Sequence, residues 1–156
     1  MLAAALGARG DKERVVSIDP HEAALHRKAH SSSSADTMPL YLHNLEQADL
    51  LDRVTPIRAT SSESAQAWDE PIRLLYVDAL HDAVSVFQDI ELWTPHMCRD
   101  GVIVFDDYQI LDVRRALEMA VERGLLSRSF FVVGAAAVFG LRDVGAVRGY
   151  VFPKAS

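Results

Sequence analysis

The chain has little cysteine: Cys98 is the single one in 156 residues. It cannot close an internal disulfide, so a buried core must hold the fold, and the composition is compatible with a reducing compartment. A basic stripe is also missing. The 16 Lys and Arg are scattered against 22 Asp and Glu, for a net charge of −6, and none groups with interleaved aromatics. Nucleic acid is therefore not an expected partner. Long apolar runs are absent too: "FFVVGAAAVFGL", Phe130 to Leu141, falls short of the roughly 20 residues of a membrane span. The opening "MLAAALGARG" has too short an apolar part, and no basic residue before it, for a secretion signal. These absences give the expectation of a soluble, cytoplasmic protein with no membrane partner. Internal repeats are missing, and the one low-complexity patch, "SSSSADTMP" (Ser31 to Pro39), reads as a mobile loop serving as a linker rather than a substrate lid.

What is present is an ordinary globular balance, 49% hydrophobic and 24% charged, with enough length to bury one core. The expectation is a single domain over residues 1–156. Short β-branched runs alternate with longer helical patterns, the rhythm of an α/β sheet covered by helices. "RVVSID" (Arg14 to Asp19) reads as a strand and "PHEAALHRKAH" as a helix opened by Pro20. Leu42, Leu45, Ala48 and Leu51 give a helical period over Leu40 to Leu51. "VTPIRAT" (Val54 to Thr60) reads as a strand near an edge, because Pro56 cannot donate to a ladder. "IRLLYVDA" and "VIVFDD" read as strands buried on both faces. Between them Ala83, Val86, Phe87, Ile90 and Trp93 mark one helix face ending near Pro95, with Phe87 and Trp93 in the core. Val113, Ala116, Leu117, Ala120 and Val121 mark another helix with Gly124 as its cap. The tail "SFFVVGAAAVFGLR" reads as an antiparallel hairpin turning near Gly134 to Ala136.

Three of these strands end in acid: Asp19, Asp78, and Asp106 with Asp107. In an open α/β sheet, ligands sit beyond the carboxyl ends of parallel strands, so all four carboxylates would face one crevice. Asp19 suits the ribose hydroxyls of an adenosine cofactor. Asp78, Asp106 and Asp107 together repel one another unless a cation neutralises them, and oxygen ligands favour a hard ion such as Mg²⁺. His81, three residues after Asp78, suits a general base acting on a substrate hydroxyl. The plain alternatives are a turn or cap residue for each Asp and a surface role for His81. His26 and His30, four apart, read as exposed helix residues, and Asp89 as a solvated face or loop brace.

The segment "LLYVDALHDAVSVFQDIELWTPHMCRDGVIVFDDY" resembles class I S-adenosylmethionine-dependent methyltransferases, in the group of macrocin-type sugar O-methyltransferases and relatives of cephalosporin hydroxylase. Tyr76-Val77-Asp78, His81, Asp89, Trp93, Gly101 and Asp106-Asp107 carry the match, and the resemblance extends over nearly all of the chain. It implies a Rossmann-like, mostly parallel sheet with a C-terminal antiparallel hairpin. It implies S-adenosylmethionine faced by Asp19, Thr60, Ser61 and Asp78, Mg²⁺ held by Asp78, Asp106 and Asp107, and His81 as catalytic base toward a small-molecule hydroxyl. Two departures stand out. Ala79-Leu80 replaces a Gly-Asp pair, and nothing matches the first strand with its glycine-rich turn, so the domain is expected to be incomplete at its N-terminus. Two rivals follow: a non-catalytic, self-associating remnant with exposed strand edges, or a metal-dependent hydrolase using the same acids.

Overall fold

The structure is a computed structural model that describes residues 14–22, 36–78, 80–140 and 150–151. The chain divides into two compact units, Met1–Ser64 and Ala65–Ser156. Of the sequence expectations, "MLAAALGARG", His26, His30, the "SSSS" run and Ala79 lie outside the described residues.

In the first unit, β1 (Val15–Ile18) and β2 (Val54–Ile57) form a two-stranded parallel sheet in which Ser17 faces Pro56. β2 is a terminal strand there, which suits a proline. The helix expected at Pro20 does not begin there. His21 adopts φ 55 and Glu22 makes an isolated antiparallel bridge to Asp36, so these residues are not helical, and residues 23–30 of that expectation lie outside the described residues. Helix α1 (Met38–Gln47) carries Pro39 in its first turn, where a missing N–H costs nothing. It ends earlier than the periodicity suggests. Asp49 takes φ 57, its N–H bonds to Glu46 O, and Leu50 N–H reaches back to Leu45 O. That pair of bonds is a Schellman stop, with Asp in the place glycine usually takes. A short helix α2 (Ser61–Gln66) follows.

The second unit holds β3 (Ile72–Val77), α3 (Ala83–Trp93), a 3₁₀ turn (Thr94–His96), β4 (Met97–Phe105), α4 (Leu111–Glu122), β5 (Ser129–Val133), β6 (Ala136–Gly140) and β7 (Tyr150–Val151). Its sheet runs β3-β4-β6-β5-β7, with β3 and β4 parallel and the remaining pairs antiparallel. β7 was not foreseen.

The hairpin of β5 and β6 turns at Gly134-Ala135. Gly134 alone has positive φ, at 61, the requirement of a II′ turn. Helix α4 stops as expected at Gly124, with φ 74 and bonds from Gly124 N to Val121 O and from Leu125 N to Ala120 O. Gly101 sits in a tight place: a Cβ there would lie 2.8 Å from Met97 Cε, the movable end of a flexible side chain, and 3.0 Å from Cys98 O, so its neighbours would have to shift.

The core of this unit lies where α3 and α4 meet the sheet. Val86, Phe87, Ile90, Ile103, Phe105, Leu117 and Phe139 are buried there. Phe130 stacks on Phe139 at 4.8 Å, and Phe105 meets Phe139 edge-on at 5.8 Å. Such pairs add about 0.5–1.5 kcal/mol each beyond the area they bury. Arg123 lies over the Phe87 ring and bonds Glu91 at 3.4 Å, bracing α4 against α3.

One expectation about burial fails. β3 is not covered on both faces: Leu75 and Val77 pack on the core, whereas Leu74 and Tyr76 are 42% and 54% exposed. Among the described residues, the core lies beneath the face that carries Leu75 and Val77. Alternation of a half-buried strand is present in the residues, but apolar Leu74 and aromatic Tyr76 mask it.

Candidate functional site

Parallel pairing of β3 with β4 sets Val77 beside Phe105, so the residues that follow both strands emerge at the same sheet end. Asp106 N–H bonds Val77 O at 3.0 Å and fastens the two ends together. After β3 the chain passes Asp78 and Leu80 to His81 and then enters α3. Asp82 is the N-cap of that helix: its carboxylate accepts the Ser85 N–H at 3.0 Å, which holds its pKa below the usual range. His81 therefore stands one residue before a fixed helix start.

Asp78, His81 and Asp107 come together. One ligand atom from each lies within 4.8 Å of the others. His81 Nε2 is 2.8 Å from Asp107 Oδ2 and 3.7 Å from Asp78 Oδ1. Asp107 is held in the left-handed region at φ 52, which Asp tolerates better than most residues. Its other oxygen accepts Gln109 Nε2–H at 2.6 Å, its carbonyl accepts Ile110 N–H at 2.8 Å, and Tyr108 N–H bonds Ala135 O in the hairpin turn at 2.7 Å.

Asp106 departs from the expected set of three carboxylate ligands. Its Oδ2 accepts the Tyr76 hydroxyl at 2.7 Å and its Oδ1 accepts the Asp107 N–H at 2.8 Å. The reason is local: left-handed Asp107 reverses the chain, so adjacent acids face different neighbours. His81 fills the third place in the cluster. The Tyr76 hydroxyl and the Asp107 amide hold the Asp106 carboxyl below its ordinary pKa, and the same bond pushes the Tyr76 phenol up to about 12.

The cluster suits a cation. Two partly exposed carboxylate oxygens face the same point and repel each other without positive charge between them. A hard divalent ion accepts such oxygens and fills its remaining positions with water or substrate oxygen.

Elsewhere the expected residues have local partners. Asp19, just past β1, accepts the His21 N–H with Oδ1 at 2.5 Å, an Asx turn that explains the positive φ of His21. The buried His21 ring bonds Thr37 Oγ1 at 3.0 Å and packs on Tyr41 at 5.0 Å. Asp19 Oδ2 has no partner among the described residues. Thr60 and Glu63 form a capping box at the start of α2. Thr60 N–H and Oγ1–H both reach Glu63 Oε2, at 2.9 and 2.6 Å, and Glu63 N–H returns to Thr60 Oγ1 at 3.3 Å. These bonds hold the Glu63 carboxyl below its usual pKa. The sequence "TSSE" carries this capping signature, beside the adenine contacts that the resemblance implies for Thr60 and Ser61. Ser61 is the first residue of α2. Tyr76, part of the family match but given no role by it, and Gln109, which nothing singled out, both stand around the acids. Nothing in strand or loop periodicity marks them.

Residues 1–108, more than half the chain, match the family described as a methyltransferase domain, and the match runs across the boundary between the two units. Among solved structures, the chain is similar to the O-methyltransferase NovP, with 15% identity and a TM-score of 0.73 over 89% of this chain and 64% of that one. It is similar to cofactor-bound Rv0187 from MTB, with 21% identity and a TM-score of 0.59 over 83% and 62%. A third is an O-methyltransferase from Bacillus cereus in complex with SAH, with 18% identity and a TM-score of 0.58 over 89% and 78%. The chain thus spans under two thirds of the length of NovP and of Rv0187. The likeness establishes an α/β, Rossmann-like fold, and no described helix is long and apolar enough to cross a membrane. By the match over residues 1–108, the chain belongs to the methyltransferase domain family.

Proposed function

We propose that this chain carries the site of an S-adenosylmethionine-dependent O-methyltransferase, assisted by Mg²⁺ and acting on a hydroxyl of a small molecule such as a sugar or secondary metabolite. The observation that supports this most is the convergence of Asp78, His81 and Asp107 at the ends of two parallel strands. Asp78 and Asp107 would hold the ion, which when bound makes a neighbouring hydroxyl more acidic. The cofactor, when bound, would supply a methyl group on a sulfonium, whose sulfur departs as a neutral thioether and needs no acid.

His81 would take the hydroxyl proton. With the Nε2 hydrogen in its 2.8 Å contact with Asp107, Nδ1 would be the acceptor. A carboxylate that fixes tautomer and ring orientation in this way is a recurrent support for a histidine base. Asp19 would accept ribose hydroxyls through Oδ2, its Oδ1 being engaged by the turn. Thr60 and Ser61, at the start of α2, would contact the adenine, Thr60 through atoms other than its committed hydroxyl.

Calorimetric titration of the chain with S-adenosylmethionine, with and without Mg²⁺, tests the reading. Cofactor binding, with heat attributable to Mg²⁺ lost in Asp107→Ala, is expected. A folded chain that binds neither would overturn it. The second reading, self-association without catalysis, has one observation in its favour: β3 is a terminal strand with Leu74 and Tyr76 exposed. Light scattering after size exclusion separates them, since a strict monomer argues against association.

A further inference from the structure

Two acids stand side by side after β4, and they do different things: Asp107 meets His81 while Asp106 meets Tyr76 and the Asp107 amide. We propose that Tyr76 is a positioning residue, whose hydroxyl anchors Asp106 so that Asp106 holds the Asp107 amide and directs the Asp107 carboxylate at His81. The inference rests on the cation-and-base reading of that site and names what sets its geometry.

The bonds around Asp107 fall on two sides. On its C-terminal side the Gln109 side chain, the Ile110 amide and the bond from Tyr108 to Ala135 secure the loop. On its N-terminal side, the Asp107 amide is held by Asp106 Oδ1. Asp106 alone would fix that amide less firmly, because a carboxylate with a single donor keeps some rotation about its own bond to Cβ. The second donor narrows that rotation, and it comes from a different strand: Tyr76 on β3, paired with Val104 of β4, reaches Asp106 Oδ2 at 2.7 Å. The bracket works against a real tendency, since φ 52 is disfavoured for any residue bearing a Cβ. The Tyr76 side chain is more than half exposed and supports no core packing, so its hydroxyl can be removed without opening a cavity.

The test uses Tyr76→Phe in the 156-residue chain, with circular dichroism and thermal midpoint confirming the fold. In metal-free protein, the ring ¹⁵N and ¹H resonances of His81, assigned by their loss in His81→Gln, report the contact with Asp107. They are expected to move toward the values of a solvated histidine in Tyr76→Phe, and Asp106→Ala, which breaks the bracket from the other side, should reproduce the shift. Mn²⁺ affinity should fall about tenfold, the low end for loss of an outer partner of a ligand. Wild-type resonances of His81 in Tyr76→Phe would overturn the proposal, as would an unchanged Mn²⁺ affinity in a wild type that binds the ion. Should wild type bind no Mn²⁺, the cation reading falls, and the His81 resonances still decide the role of Tyr76.

Discussion

The end of β1 and the ends of β3 and β4 carry the same sequence signature, an apolar run closing on an acid, yet the structure uses them differently. At β1, Asp19 folds back onto its own turn: one oxygen caps His21, and the only chemistry left to it is its second oxygen. At β3 and β4, Asp78 and Asp107 project past their strands and meet a histidine from the following loop. The difference lies in what comes next along the chain. Asp19 is followed by Pro20 and a left-handed His21, which bring an amide back within reach of the carboxylate. Asp78 is followed by a loop whose end is fixed by the Asp82 cap, and Asp107 is itself the left-handed residue. A terminal acid marks a strand's end; the conformation of its neighbours decides whether it serves the backbone or a ligand.

The comparison breaks most severely if the scaffold under β4 is loosened. Phe105 is fully buried beneath that strand end. Phe105→Ala should cost about 3–5 kcal/mol in urea unfolding, and it should weaken the contact between His81 and Asp107 while leaving the Asx turn at Asp19 intact.

Asp19 itself separates its two uses. Asp19→Ala strands the His21 amide in a buried residue, at a cost of about 1–3 kcal/mol by chemical denaturation. Asp19→Asn keeps an acceptor for that amide and should be nearly neutral for stability, yet it should lower cofactor affinity. Unchanged affinity would reduce Asp19 to a turn residue.

Thr60 poses the same question at smaller scale. Thr60→Ala removes the capping box and should destabilise by about 1 kcal/mol, with cofactor affinity unaltered if its hydroxyl serves only the cap. The smallest effect concerns alkali. Because Asp106 favours the neutral phenol, Tyr76 contributes stability that is whole below pH 10 and fades as pH rises toward about 12. Tyr76→Phe should flatten that alkaline slope in pH-dependent melting.

Much of this was legible in the residues. The helix stop at Gly124, the turn at Gly134 and the core stripe of Val113, Ala116, Leu117, Ala120 and Val121 all follow from local chemistry, and the structure has them. So is the gathering of Asp78 with Asp107, since parallel strands paired in register from Leu74 and Val102 to Val77 and Phe105 deliver their ends together. What could not be read depends on single torsions or on tertiary cover. Nothing in "FDDY" says which acid turns toward Tyr76, because that follows from φ at Asp107. Nothing in "IRLLYVD" says that Leu74 and Tyr76 remain exposed, because apolar residues look alike whether or not a layer covers them. The start of α2 is legible: "TSSE" states its own cap.

The central claim is that Asp78 and Asp107, rather than the adjacent Asp106, hold a divalent ion. Titration of the chain with Mn²⁺, followed by electron paramagnetic resonance, addresses it directly in wild type, Asp107→Ala and Asp106→Asn. One site is expected in wild type, weakened more than about a hundredfold in Asp107→Ala and by no more than about tenfold in Asp106→Asn. No site in wild type, or equal losses in the two variants, would contradict the account.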